Sequence, residues 1–159
     1  MDSFRLTGLS YAPFAPLFEM NDDRLADIGI VRMRADSDHG YPCRVSLANA
    51  EVGAELLLLP FEHLPATSPY RASGPIFVRR GAAQCLPAPG EIPPYVTQRR
   101  LISVRAYDEA HMMVGAEVCT GTDAGAGIER WLADEQTSYI HLHNAQRGCF
   151  LCRADRMKA

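Results

Sequence analysis

The sequence predicts a single α+β domain: a largely antiparallel sheet of about eight strands, curled toward a barrel, with two short helices. Three observations carry this. The chain has 159 residues, 47% of them hydrophobic and 22% charged, which suits one core and leaves little room for two. Apolar residues alternate with polar ones over several short stretches, the period of a half-buried strand. Only two segments carry the three-to-four spacing of a helix.

Taken in order, Asn21-Asp22-Asp23 supplies a cap for a first helix, with Leu25 and Ile28 three apart and Gly29 as its stop. Strand patterns then cover residues 30–35, 43–47 and 55–61, and the run Leu56-Leu57-Leu58-Leu59 suits a central strand covered on both faces. A loop rich in Pro, Ser and Gly spans residues 65–75, ahead of a strand over 76–79. Four prolines between residues 85 and 94 rule out a ladder strand and read as a surface crossing. Over residues 99–107, Ile102, Val104 and Ala106 point one way while Ser103, Arg105 and Tyr107 point the other. Another strand follows over 112–119, then a second helix over 123–135 with Ile128, Trp131 and Leu132 on one face. Strands over 138–144 and 149–154 close the chain as a hairpin around Ala145-Gln146-Arg147-Gly148.

Composition narrows the function classes. A net charge of -3 gives no overall attraction to phosphate backbones or anionic bilayers, so neither nucleic acid nor a membrane is an expected partner. The apolar run over 56–61 is far short of a membrane helix, and the first residues have no signal-peptide pattern. Five scattered cysteines, an odd number, suit reduced thiols, and the expected compartment is the cytoplasm. Fifteen of the sixteen basic residues are Arg, which fits both a GC-rich coding genome and bidentate recognition of anions.

Three constellations are candidates for chemistry. His141 and His143 stand two apart on a strand and project from one face, a spacing used by metal sites, with His63, Cys43, Cys152, Glu62 and Glu117 as available third ligands. The alternative is a pair that hydrogen-bonds within the sheet. Cys149, His143 and Asn144 supply a thiol, an imidazole and an amide, so Cys149 or Cys43 is a candidate nucleophile. Hairpin register decides: an even loop puts Cys149 with Leu142 and Asn144, whereas an odd one sets it beside His143. Otherwise Cys149 and Cys152 are small buried hydrophobes. Arg44, Tyr70, Arg71, Ser73 and Arg105 are candidates to gather around one carboxylate or phosphate, against the plainer alternative of solvated surface arginines.

The blocks Gly40-Tyr41-Pro42-Cys43-Arg44-Val45-Ser46-Leu47, Ser68-Pro69-Tyr70-Arg71-Ala72-Ser73-Gly74-Pro75-Ile76-Phe77-Val78, Arg105-Ala106-Tyr107-Asp108 and His141-Leu142-His143-Asn144-Ala145-Gln146-Arg147-Gly148-Cys149 together resemble a family of small bacterial proteins known only as a domain of unknown function. The resemblance covers nearly the whole chain and implies one domain and a bacterial source. It brings no activity, cofactor or catalytic residue. The expectation is therefore a cytoplasmic binder of a small anionic molecule. Its pocket would gather Cys43, Arg44, His63, Tyr70, Arg71, Ser73, Arg105, His141, His143 and Asn144, with a histidine moving a proton if it is an enzyme. Two alternatives stand beside it: a non-catalytic interaction or structural domain, and a metal-dependent enzyme using the His-x-His pair. Metal, cofactor and oligomeric state are left open.

Overall fold

Ten strands form two five-stranded sheets in the computed structural model, which describes residues 3–158. The strands are β1 (Phe4–Thr7), β2 (Val31–Arg34), β3 (Pro42–Cys43), β4 (Ala48–Asn49), β5 (Glu55–Leu64), β6 (Ala72–Arg79), β7 (Ile102–Tyr107), β8 (Met113–Cys119), β9 (Tyr139–Asn144) and β10 (Phe150–Arg156); the α-helices are α1 (Asp22–Asp27), α2 (Pro94–Thr97) and α3 (Ala124–Leu132). One sheet runs β1-β10-β9-β7-β8 and the other β2-β5-β6-β3-β4. All pairings are antiparallel except β3 with β6. The α+β class and the antiparallel bias expected from the sequence hold. The single curled sheet is replaced by two open ones, because β10 pairs back with β1 at the other end of the chain and β5 pairs with β2 and β6 instead of continuing into β7.

Alternation explains the first sheet. Ile102, Val104 and Ala106 of β7, Ile140 and Leu142 of β9 and Ala154 of β10 are fully buried on one face, where Ile128 and Leu132 of α3 cover them. Arg156 donates to the carbonyls of Leu132, Asp134 and Thr137, tying the C-terminus of α3 to the end of β10. The second sheet buries Leu57, Leu59, Ile76 and Val78 against Phe14, Phe18 and Leu25. Asn21 caps α1 by accepting from the Arg24 N–H at 2.9 Å, as its sequence position implies. Arg32 fastens this layer: it donates to Asp22 and Glu55, and Glu55 also accepts from Arg80. Those two guanidiniums, Arg80 foremost, hold the Glu55 carboxyl below its ordinary range.

Three local departures from the expected elements matter for the site. The strand over 43–47 stops at Cys43, and the chain turns at once so that β4 can pair with β3. The segment before β7 is not strand but α2, opened by Pro94 and followed by Arg99. The final hairpin carries a bulge: Phe150 faces His143, whereas Cys152 faces Leu142.

Gly121 locks α2 in place. A Cβ there would lie 2.2 Å from the Val96 carbonyl oxygen, 2.6 Å from that of Arg99 and 2.8 Å from that of Thr97. All three are backbone atoms, so nothing flexible can yield. Gly121→Ala is expected to destabilise the fold by about 3 kcal/mol, read as a lower urea midpoint at unchanged slope, because the α2–Arg99 segment must move.

Candidate functional site

Two polar sites flank the final hairpin, one on each face. The first is a cavity of about 410 Å3 whose lining combines Arg44, Arg99, Asn144, Arg147 and Cys149 with the apolar side chains of Leu58, Pro75 and Phe77. Gly40 and Pro42 complete it, and no Asp or Glu contributes.

Each polar group is placed by a local feature. Arg44 follows β3 and is only 2% exposed; its Nε donates to the Phe150 carbonyl at 2.7 Å and its Nη1 to that of Pro42 at 2.6 Å. Arg99 leaves α2, donates through Nε to the Tyr95 carbonyl at 3.0 Å and lies over the Tyr95 ring at 5.0 Å. Its Nη1 donates to Asn144 Oδ1 at 3.3 Å, and the Asn144 amide donates in turn to Cys149 Sγ at 3.4 Å. The turn holds because the Asn144 N–H donates to the Cys149 carbonyl and the Gly148 N–H to that of Asn144. Arg147 sits exposed at the rim. Among the described residues none of these three arginines makes an ion pair with a carboxylate. The buried Arg44 guanidinium is bonded only to neutral carbonyls and has no counter-charge among the described residues.

The second site is a histidine cluster on the opposite face of β9. His63 reaches from the end of β5 to His141 and His143, with ring centroids 6.0 Å and 4.9 Å away, and Phe150 stacks on His63. His143 Nδ1 lies 2.8 Å from the Gly148 carbonyl, so that nitrogen carries the proton and Nε2 the lone pair. His143 Nε2, His141 Nδ1 and His63 Nδ1 are buried without a hydrogen-bond partner among the described residues. Burial pushes the pKa of His141 down to about 2 and that of His143 to about 3. The other imidazoles and Arg105 add to the shift, and the bond to Gly148 opposes it at His143. His63 is lowered for the same two reasons, burial first and Arg105 second. A cavity of about 330 Å3 reaches His63 and His141 beside Tyr139, His111 and Arg153. Among the described residues no group of three or more His, Cys, Asp or Glu is arranged to hold a metal ion.

The single pocket expected from the sequence is thus divided. Arg44, Asn144 and Cys149 share the arginine cavity, while His63, His141 and His143 form the cluster with Arg105 nearby. Arg71 is drawn away by Glu62, to which it donates at 2.9 Å and 3.2 Å. Tyr70 packs edge-on against Tyr107, and Ser73 lines an apolar groove with Val31 and Leu59. Cys43 is fully buried in the second core, its Sγ accepting from the Arg79 N–H. The register places Cys149 with Asn144, as an even loop requires, and not beside His143. Arg99 and Arg147 are the contributors that the sequence reading passes over. Arg147 stands in the hairpin loop between Asn144 and Cys149, a position that gives it away once the register is known; Arg99 has no such signal, because α2 alone brings it there.

No helix among the described residues is long and apolar enough to cross a membrane. The model of the family described as protein of unknown function (DUF1203) matches residues 40–156, a span that contains every residue lining the arginine cavity. No curated protein matches the chain, and no solved structure does either.

Proposed function

The chain belongs to the DUF1203 family, whose description states no activity, and from that premise we propose that it binds a small anionic molecule in the cavity of Arg44, Arg99 and Arg147. The observation that carries the reading is Arg44: a nearly buried guanidinium with no acidic partner, lining a space whose other charged groups are also guanidiniums. Two of its nitrogens are held by backbone carbonyls, which leaves Nη2 to donate to a carboxylate or phosphate oxygen. The volume of about 410 Å3 falls in the range of small-molecule sites. Leu58, Pro75 and Phe77 form a wall without hydrogen-bonding side chains, so the ligand that fits carries an anionic head on a short apolar body. All lining residues except Leu58 and Arg99 fall in the sequence blocks that carry the family resemblance.

The test is thermal unfolding in a buffer free of binding anions, titrated with phosphate, sulfate and small mono- and dicarboxylates. A ligand present at a hundred times its Kd is expected to add about 2.7 kcal/mol of stability and to raise the midpoint accordingly. Arg147→Ala, a substitution at an exposed side chain, is expected to leave the unliganded midpoint nearly unchanged and to remove most of the rise. Equal midpoints with and without every anion would sink the proposal.

A further inference from the structure

Cys149 is the one cysteine of the five that lines this cavity. Cys43 and Cys152 are fully buried, and burial pushes the Cys152 thiol up to about 12. Cys85 and Cys119 are raised by burial and by nearby carboxylates, Glu91 for the first and Glu117 with Asp123 for the second. Cys149 shares its cavity with Arg44, Arg99 and Arg147, and its Sγ accepts the Asn144 amide N–H while Arg99 holds the other end of that amide. A donor aimed at sulfur supports the negative charge it carries when it attacks. Arg44, independently of the cysteine, points to an anion in the same space: it is nearly buried, has no counter-charge, and its Nη2 makes no hydrogen bond among the described residues.

Resting on the anion reading above, we infer that Cys149 is a nucleophile presented to the bound anion, and that the site takes small carboxylates with an electrophilic carbon beside the carboxylate, the 2-oxo acids. The step needs no other reactant. Sγ forms a bond to the ketone carbon and the C=O π pair moves to oxygen. The thiol proton ends on that oxygen, leaving a tetrahedral hemithioketal that reverts by the same path. The arginines hold the carboxylate, and the apolar wall accommodates the remaining carbon substituent.

Charge-selective alkylation followed by mass spectrometry tests this, with Cys119 of the same molecule as the internal control. Iodoacetate and iodoacetamide form the same kind of C–S bond, expel iodide and release the thiol proton to buffer; only iodoacetate is an anion. The ratio of iodoacetate to iodoacetamide rates is expected to be on the order of tenfold higher at Cys149 than at Cys119, because a cationic cavity concentrates the anionic reagent. Arg147→Ala is expected to bring the ratio most of the way back. Pyruvate is expected to protect Cys149 more than acetate at equal concentration, since the two share a charge and differ in the electrophilic carbon.

Equal ratios at the two cysteines overturn the proposal. If phosphate still raises the unfolding midpoint in that case, the anion site stands and Cys149 is not presented to it; if no anion does, both readings fall. A high ratio with pyruvate no better than acetate overturns the 2-oxo acid assignment.

Discussion

Lowering the pH from 7 to 5 is expected to remove about 4 kcal/mol of stability through His141 and His143 alone. Both imidazoles are buried and neutral in the folded chain, 3% and 1% exposed, with pKa values pushed down to about 2 and about 3. In the unfolded chain each returns to its ordinary value near 6.5 and takes up a proton as the pH falls. The unfolded state therefore binds more protons than the folded one throughout this window. Stability is complete above pH 7, falls below pH 6.5, and continues to fall until the pH nears the folded values. His63 contributes in the same direction, less strongly because it is only half buried. Urea midpoints at pH 7, 6 and 5 measure the slope. His141→Gln, which removes one titrating group, is expected to lower it by somewhat less than half; a flat profile in the wild type would mean that the cluster is hydrated and already accommodates protons. Against a total stability of about 5–15 kcal/mol, a loss of this size is large.

Replacing Arg44 with Met is expected to abolish all anion-dependent stabilisation. The substitution removes the buried charge and strips the Phe150 carbonyl of its 2.7 Å donor and that of Pro42 of its 2.6 Å donor. An orphaned buried acceptor costs about 1–3 kcal/mol. Part of that cost is returned because a guanidinium without a counter-ion is no longer held out of water. The unliganded protein is thus expected to lose about 2 kcal/mol, while the anion response disappears entirely. Arg44→Lys keeps the charge without the fork and is expected to retain a weakened response. Calorimetric titration with phosphate separates the three proteins. Full binding by Arg44→Met would remove Arg44 from the site.

Much of the fold is legible in local periodicity. The opposition of Ile102, Val104 and Ala106 to Ser103, Arg105 and Tyr107 defines β7 and both faces of its sheet. Ile128 and Leu132 define the buried side of α3, and Asn21 marks its capping role at α1. What local patterns do not carry is long-range pairing. β1 is too short to stand out, yet it forms the edge of a sheet by pairing with β10; the two-residue β3 runs parallel to β6 only because the chain turns immediately after Cys43. The site follows the same division. Arg44, Asn144 and Cys149 are legible as residue types near turns, and His141 with His143 from strand spacing. That His63 completes the histidine cluster, that Glu62 captures Arg71, and that α2 delivers Arg99 to Asn144 all depend on contacts between elements distant in sequence. The bulge between Phe150 and Cys152 is equally invisible locally, although it sends Phe150 to the histidines and Cys152 to the core.

The central claim is that the guanidiniums of Arg44, Arg99 and Arg147 enclose a specific anion site. Crystals grown with selenate, a phosphate-like oxyanion that can be located by its anomalous scattering, test this most directly. A single dominant selenium peak inside the cavity, within hydrogen-bond distance of Arg44 and at least one of Arg99 and Arg147, is the predicted result. A cavity without selenium, or selenate spread evenly over exposed arginines elsewhere on the surface, would contradict it.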